Sequence, residues 1–221
     1  MHSAGPVLFF DLDGTLTDPK EGITRSVEHA LNAFGIRVAS RDDLTCFIGP
    51  PLVESFMVYY GLSQQEAERA VQVYREYFSV TGLFENQLYP GIPQMLENQR
   101  TRGRTLAVAT SKPAIFARRI LEHFDLMKCF DILSGSELDG TRVDKGEVIL
   151  YAMEQLGIRD PASVVMTGDR KHDVLGAKAA GARSIGVLYG YGSRQELEQA
   201  GAGQIAATVE ELDALLSQLN G

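Results

Sequence analysis

Four carboxylates, a hydroxyl pair and one lysine carry the chemistry of this sequence. Asp11 and Asp13 stand in Asp11-Leu12-Asp13-Gly14-Thr15, directly after the apolar run Val7–Phe10. Thr110 and Ser111 follow Leu106–Ala109. Asp169 and Asp173 lie in Gly168-Asp169-Arg170-Lys171-His172-Asp173, after Val164–Met166. Lys145 precedes a helical stripe that leads into that last run. Singly, each is ordinary: a D-x-D after a strand is usually a turn, Thr-Ser a helix cap, and a lone lysine a solvated charge. Together they follow successive strands in one chain order. In open α/β sheets that edge, beyond the carboxyl ends of the strands, is where ligands bind. Clustered carboxylates repel unless a cation joins them, and hard oxygen donors select Mg²⁺, which also accepts a substrate phosphate. Lys145 would offset more of the charge. A carboxylate nucleophile, a metal, hydroxyl and amide donors and a second carboxylate for proton transfer suit phosphoryl transfer.

Those residues need a scaffold. The apolar runs Val7–Phe10, Leu106–Ala109, Ile132–Leu133, Val164–Met166 and Ile185–Leu188 lack alternation. That is the pattern of strands buried on both faces. Helical stripes lie between them: Ile115, Phe116, Ile120, Leu121 and Phe124 after Pro113, then Val148, Ile149, Ala152, Met153 and Leu156, closed by Gly157. Ser193 with Glu196 and Thr208 with Glu211 read as capping boxes. Strands alternating with helices predict an α/β fold with a Rossmann-like, doubly wound parallel sheet. From about 17 to 85 the alternation stops. Val27, Leu31 and Phe34, then Phe56 to Tyr60, then Ala67 to Phe78, predict three helices inserted after the first strand. The expected division is a core of residues 1–16 and 86–221 and a small helical module of residues 17–85.

Composition removes other classes. The 221 residues are 44% hydrophobic and 23% charged, within the globular range. A net charge of −8 opposes a nucleic-acid-backbone binder. Cys46 and Cys129 have no CxxC spacing, so a zinc site is not expected. No apolar run approaches the ~18 residues of a membrane helix, and the N-terminus lacks a secretory signal pattern. The reading is a cytoplasmic protein. No P-loop is present, and Gly186, Gly190 and Gly192 lack the strand-turn-helix setting of a dinucleotide site.

The four elements resemble the four motifs of the haloacid dehalogenase superfamily of phosphohydrolases: Asp11-Leu12-Asp13-Gly14-Thr15, Thr110, Lys145, and Asp169 with Asp173. The resemblance spans Val7 to about Gly192. It implies that Asp11 attacks phosphorus and that Asp13 serves as general acid and then base. Mg²⁺ would sit on Asp11, the Asp13 carbonyl and Asp169, with Asp173 joining through water or orienting Lys145. Thr110 and the Ser111 amide would hold phosphoryl oxygens, and Gly14 would let the backbone turn close to the phosphate. The helical module would be the family's small cap. Within it Phe47, Gly49 and Pro50 resemble a substrate-specificity loop, and Lys20 and Arg25 are candidates to meet a substrate anion. Both of those charges read more simply as solvated helix residues.

Asp13 argues against a dehalogenase, and Thr15 favours a phosphatase over a sugar-phosphate mutase. The chain resembles the phosphoglycolate-phosphatase group, and its Gly168–Asp173 segment is similar to the 5′-nucleotidase branch of that group. The implied partner is a small phosphorylated metabolite, a nucleoside 5′-monophosphate first and phosphoglycolate second. No membrane or polymeric nucleic acid is implied, and the chain would act as a monomer or homodimer. A binding or regulatory domain with intact motifs is the reading from another class.

Overall fold

A computed structural model describes residues 5–219. In chain order the elements are β1 (Val7–Phe10), β2 (Thr17–Asp18), α1 (Lys20–Ala33), a 3₁₀ segment (Arg41–Phe47), α2 (Leu52–Tyr60), α3 (Gln64–Phe78), β3 (Gln87–Leu88) and α4 (Ile92–Thr101). Next come β4 (Leu106–Pro113), α5 (Ala114–His123), β5 (Ile132–Ser136), α6 (Lys145–Gln155), β6 (Val164–Gly168), α7 (Lys171–Ala179), β7 (Arg183–Val187), α8 (Arg194–Ala200), β8 (Gln204–Ala206) and α9 (Val209–Gln218).

Six strands form one sheet in the order β5-β4-β1-β6-β7-β8. Every pairing in it is parallel. The order reverses at β1, which lies between β4 and β6. That reversal point is where doubly wound sheets open a crevice. The five predicted strand runs all fall on sheet strands. The sixth strand, β8, was not expected. It is a three-residue edge strand with only Ala206 buried, so it leaves no apolar run to read.

The central strands are apolar because both faces are covered. Leu8, Phe9, Phe10, Leu106, Ala107, Val108 and Ala109 are all fully buried. On one face Phe9, Ala107, Val164 and Met166 pack against Val148, Ile149, Ala152 and Met153 of α6 and Ala177 of α7. α4 and α9 pack on each other. Their contact includes a polar join in which Asn98 and Gln99 both donate to the Asp213 carboxylate, at 2.6 and 2.7 Å.

The two expected capping boxes are each only half made. Ser193 Oγ accepts from the Glu196 amide and Thr208 Oγ1 from the Glu211 amide. The carboxylates do not reciprocate. Glu211 accepts from the Ala207 amide instead, and Glu196 reaches across to the loop before α7. A complete box does exist at the start of α3, between Ser63 and Glu66.

Residues Asp18–Gln87 form a second compact unit, and the boundary falls inside the short paired strands β2 and β3. Val27, Ala30 and Leu31 of α1, Phe56 of α2, and Ala67, Ala70 and Tyr74 of α3 are buried within it. Gly22 allows α1 to lie against the 82–85 turn: a Cβ there would stand 1.9 Å from the Gly82 carbonyl oxygen. Among the described residues no helix is long and apolar enough to cross a membrane.

Ile149 fills the space between α6 and the sheet, so truncating it leaves a cavity. Ile149→Ala is expected to cost about 2–5 kcal/mol in urea unfolding, while Val58→Ala on the exposed face of α2 changes stability by less than about 0.5 kcal/mol.

Candidate active site

The acidic groups converge where the sheet reverses. The Asp11 amide donates to the Thr167 carbonyl at 2.9 Å, so Asp11 is held in register at the carboxyl end of β1. Asp169 follows β6 directly, and Asp173 sits in the first turn of α7. Asp11, Asp13, Asp169, Asp173, Lys145 and Thr110 are each no more than 8% exposed.

Lys145 is the first residue of α6, after Asp144, which caps the helix by accepting from the Gly146 and Glu147 amides. Its ammonium lies 2.8 Å from Asp11 Oδ1, 2.9 Å from Asp173 Oδ1 and 3.1 Å from the Ala109 carbonyl. It thus donates to one carbonyl and forms ion pairs with two carboxylates. Burial works against its charge, but the Asp11 and Asp173 carboxylates outweigh that and raise its pKa. Gly176 makes room for its stem: a Cβ there would stand 2.7 Å from Lys145 Cγ.

One lysine does not balance this many acids. Burial pushes the Asp169 pKa well above the usual carboxylate range, and Asp173 adds to the shift. Burial also raises Asp173, to about 6, against the opposing pull of Lys145. One carboxylate oxygen from each of Asp11, Asp169 and Asp173 lies within 4.8 Å of the others. Asp169 Oδ2 accepts from the Tyr191 amide at 2.7 Å, while the buried Oδ1 has no hydrogen-bond donor. Oxygen-only donors, excess negative charge and an orphaned buried oxygen fit a divalent cation.

The Asp13 carboxylate is not part of that cluster. Its Oδ2 lies 2.8 Å from the ammonium of Lys112, which is itself 6% exposed. Its pKa is raised by burial, with Lys112 pulling the other way. The sequence reading overlooked Lys112, although it directly follows the Thr110-Ser111 pair. Thr110 Oγ1 accepts from the Lys112 amide at 3.3 Å, and the Ser111 carbonyl accepts from Ser136 Oγ at 2.7 Å. These bonds fix the irregular end of β4, where Ser111 is half-buried.

Glycines pack the acidic loops together. Gly14 has φ +81°, and a Cβ there would stand 2.3 Å from Asp169 Oδ2. A Cβ on Gly190 would meet the Gly14 carbonyl at 2.2 Å and Asp169 Oδ2 at 2.5 Å. Gly190 and Gly192, unexplained in the sequence, are sites of close backbone approach.

The candidates outside the core, Lys20, Arg25, Phe47, Gly49 and Pro50, all lie in the Asp18–Gln87 unit. Phe47 is 1% exposed, its ring 4.9 Å from that of Phe56, so it packs within the unit. Its Gly-Pro sequel resembles a loop, but the ring completes the local core. Gly49, at φ +104°, and Pro50 are half-buried. Lys20 pairs with Asp42 at 2.6 Å, and Arg25 with Glu21 and Glu85 at 2.7 and 2.6 Å. A cavity of about 390 Å³ in this unit is lined by Lys20, Arg41, Asp42 and Glu85 among others. Its lysine and arginine are held by acids of the same unit. Convergent acidic charge in excess of its lysine partners is found in the core, which makes that the candidate site.

The sequence pattern of the haloacid dehalogenase-like hydrolases matches residues 8–187. The chain belongs to that family, and it is a phosphatase of it. A 5′-nucleotidase of Pseudomonas aeruginosa is 52% identical over 192 residues, which cover 87% of this chain and 86% of the relative. A tyrosine-protein kinase PtkA of Mycobacterium tuberculosis is 42% identical over 93% of this chain and 70% of its own length. The crystal structure of a "predicted phosphatase" from Clostridium acetobutylicum has a TM-score of 0.95 at 47% identity, covering 98% of this chain and 100% of that one.

The raised carboxylates give a signed pH prediction. An acid whose folded pKa lies above its unfolded value stabilises the fold when protonated, and the benefit is lost as pH rises through the folded value. For Asp173 that window runs from the ordinary 3.8 to about 6. In chelator, Tm of the wild type is expected to rise between pH 7.5 and 5.5, with a flatter slope in Asp173→Asn. Identical slopes in a thermal melt series would contradict the burial argument. Gly190→Ala is expected to lower phosphatase activity at least tenfold while circular dichroism keeps its native form, because its methyl group collides with Asp169.

Proposed function

We propose that the chain is a Mg²⁺-dependent phosphomonoesterase that works through an aspartyl-phosphate on Asp11 and takes nucleoside 5′-monophosphates. The observation that carries the reading is the pair of carboxylates two residues apart with opposite surroundings. Asp11 is neutralised by Lys145 beside an acidic cation site. Asp13 is buried, raised and turned to Lys112. Asp11 is placed against an ammonium at the cation site for attack, and Asp13 is suited to hold a proton.

Asp11, Asp169 and Asp173 would hold Mg²⁺, which when bound supplies positive charge against the phosphoryl oxygens. An Asp11 oxygen attacks phosphorus, and the P–O bond to the leaving group breaks. Asp13 gives its proton to the departing alkoxide. It then takes a proton from water, whose oxygen attacks phosphorus and releases inorganic phosphate, restoring the Asp11 carboxylate. The Ser111 amide and Thr110 hydroxyl donate to phosphoryl oxygens, and Lys145 keeps Asp11 oriented. The Asp18–Gln87 unit would serve as the cap that meets the leaving group, since the core groups act on the phosphoryl group that every substrate shares. The 5′-nucleotidase likeness supports a nucleotide as that substrate. That Cys46 and Cys129 are in no disulfide among the described residues supports a reducing, cytoplasmic setting.

The test is phosphate release from nucleoside 5′-monophosphates, phosphoglycolate and tyrosyl phosphate with Mg²⁺. A nucleotide is expected to give the highest kcat/KM. A better phosphoglycolate value would move the substrate assignment, and no release from any phosphate would leave a binding domain. Asp11→Asn is expected to abolish turnover with the fold intact, and turnover within about tenfold of wild type would remove the nucleophile. Asp13→Asn is expected to lose about 10²–10⁴-fold, less on an aryl phosphate whose leaving group needs no proton. Ca²⁺ is expected not to replace Mg²⁺, because its six to eight longer ligand bonds let a carboxylate spend both oxygens on the ion.

A further inference from the structure

The segment from Tyr189 to Glu196 fastens both acidic loops. The Tyr189 hydroxyl donates to the Thr15 carbonyl at 3.1 Å, while Gly190 lies against the Gly14 carbonyl. These two contacts hold the Asp11–Thr15 loop. The next residues hold the other loop. The Tyr191 amide donates to Asp169 Oδ2, and Gly192 is so close to the Asp169 carbonyl that a Cβ would stand 1.8 Å from it. The last anchor is Glu196, in the first turn of α8. Its Oε1 accepts from Arg170 Nε and from the Lys171 amide, both at 2.9 Å. Arg170, the cap residue, and Lys171, the first residue of α7, form the linker from Asp169 into the helix. The Arg170 amide itself donates to Asp173 Oδ2 at 3.1 Å.

From this arrangement we infer that Glu196 is a positioning residue for the cation site: it fixes the Arg170–Lys171 linker so that Asp169 and Asp173 face the same ion. The inference rests on the cation reading given above. The geometry argues for it in three ways. Glu196 abandons the capping-box bond that its position after Ser193 offers and uses its carboxylate on the linker instead. It holds a backbone amide and a side chain of consecutive residues through one oxygen, which restrains the linker's position. The contact is sheltered, with the Arg170 and Glu196 side chains 15% and 20% exposed, so water competes weakly. Groups that orient metal-binding carboxylates typically carry about 10–100-fold in metal affinity.

The test measures Mg²⁺ binding directly by titration calorimetry, alongside Tm, for the wild type, Glu196→Ala, Glu196→Gln and Ser193→Ala. Glu196→Ala is expected to weaken Mg²⁺ about tenfold or more. Glu196→Gln retains an acceptor for the Lys171 amide and is expected to lie between Glu196→Ala and the wild type. Ser193→Ala removes the α8 cap but leaves the carboxylate in place. It is expected to lower Tm while its Mg²⁺ Kd stays within about twofold of wild type. If Glu196→Ala fails to fold, Glu196→Gln decides the matter: an unchanged Kd rejects the role. A Tm loss without a change in Kd in either Glu196 variant makes the residue merely structural and overturns the inference. A wild type that binds no Mg²⁺ instead overturns the cation reading, and the inference with it.

Discussion

Burial of Asp11, Asp169 and Asp173 together, with one ammonium against only Asp11 and Asp173, is the constraint on which the rest of the structure depends. Removing one partner from a buried ion pair costs about 3–5 kcal/mol, because a desolvated charge is left uncompensated. Here the acids outnumber the lysine that touches them, so the metal-free cluster carries that penalty in part. The upward shifts of Asp169 and Asp173 are its direct expression. A stable fold can hold such a cluster only on rigid supports. The supports are the ends of β1 and β6, neighbouring buried strands in the centre of the sheet, and the start of α6.

The same constraint explains the glycines. Loops that carry Asp11, Asp169 and the Tyr189–Gly192 segment meet at distances that leave no room for a Cβ. Their backbones supply amides where side chains would crowd the site, as at Tyr191. Lys112 and Lys145 then divide the work. Each neutralises a different carboxylate, so Asp11 and Asp13 meet different fields although they are two residues apart. Separating the environments of two carboxylates is how one site runs nucleophilic and proton-transfer steps at one pH.

The parts of this site legible in the sequence were those attached to a strand end. Asp11, Thr110 and Asp169 each follow an apolar run, and Lys145 opens a helix whose stripe is plain. The doubly wound sheet was legible for the same reason, since fully buried strands leave uninterrupted apolar runs. What escaped depends on chain returns. Lys112 acts on a residue 99 positions before it, and Glu196 acts on a linker 25 to 26 positions earlier. No local spacing records such contacts. The packing of Phe47 on Phe56 escaped for the same reason, since its Gly-Pro sequel marks only a turn. Glu196 was assigned to a local cap because sequence spacing shows the cap and not the competing partner.

The most direct measurement of the central claim is chemical trapping of Asp11 during turnover. Borohydride reduces an acyl phosphate to an alcohol and spares free carboxylates, so a phosphorylated Asp11 becomes homoserine. Wild-type protein quenched during steady-state turnover with Mg²⁺ and a phosphomonoester should give homoserine at position 11 by peptide mass spectrometry, and the same protein in chelator should give none. Robust phosphate release with an unmodified Asp11, or with homoserine at another aspartate, would contradict the account.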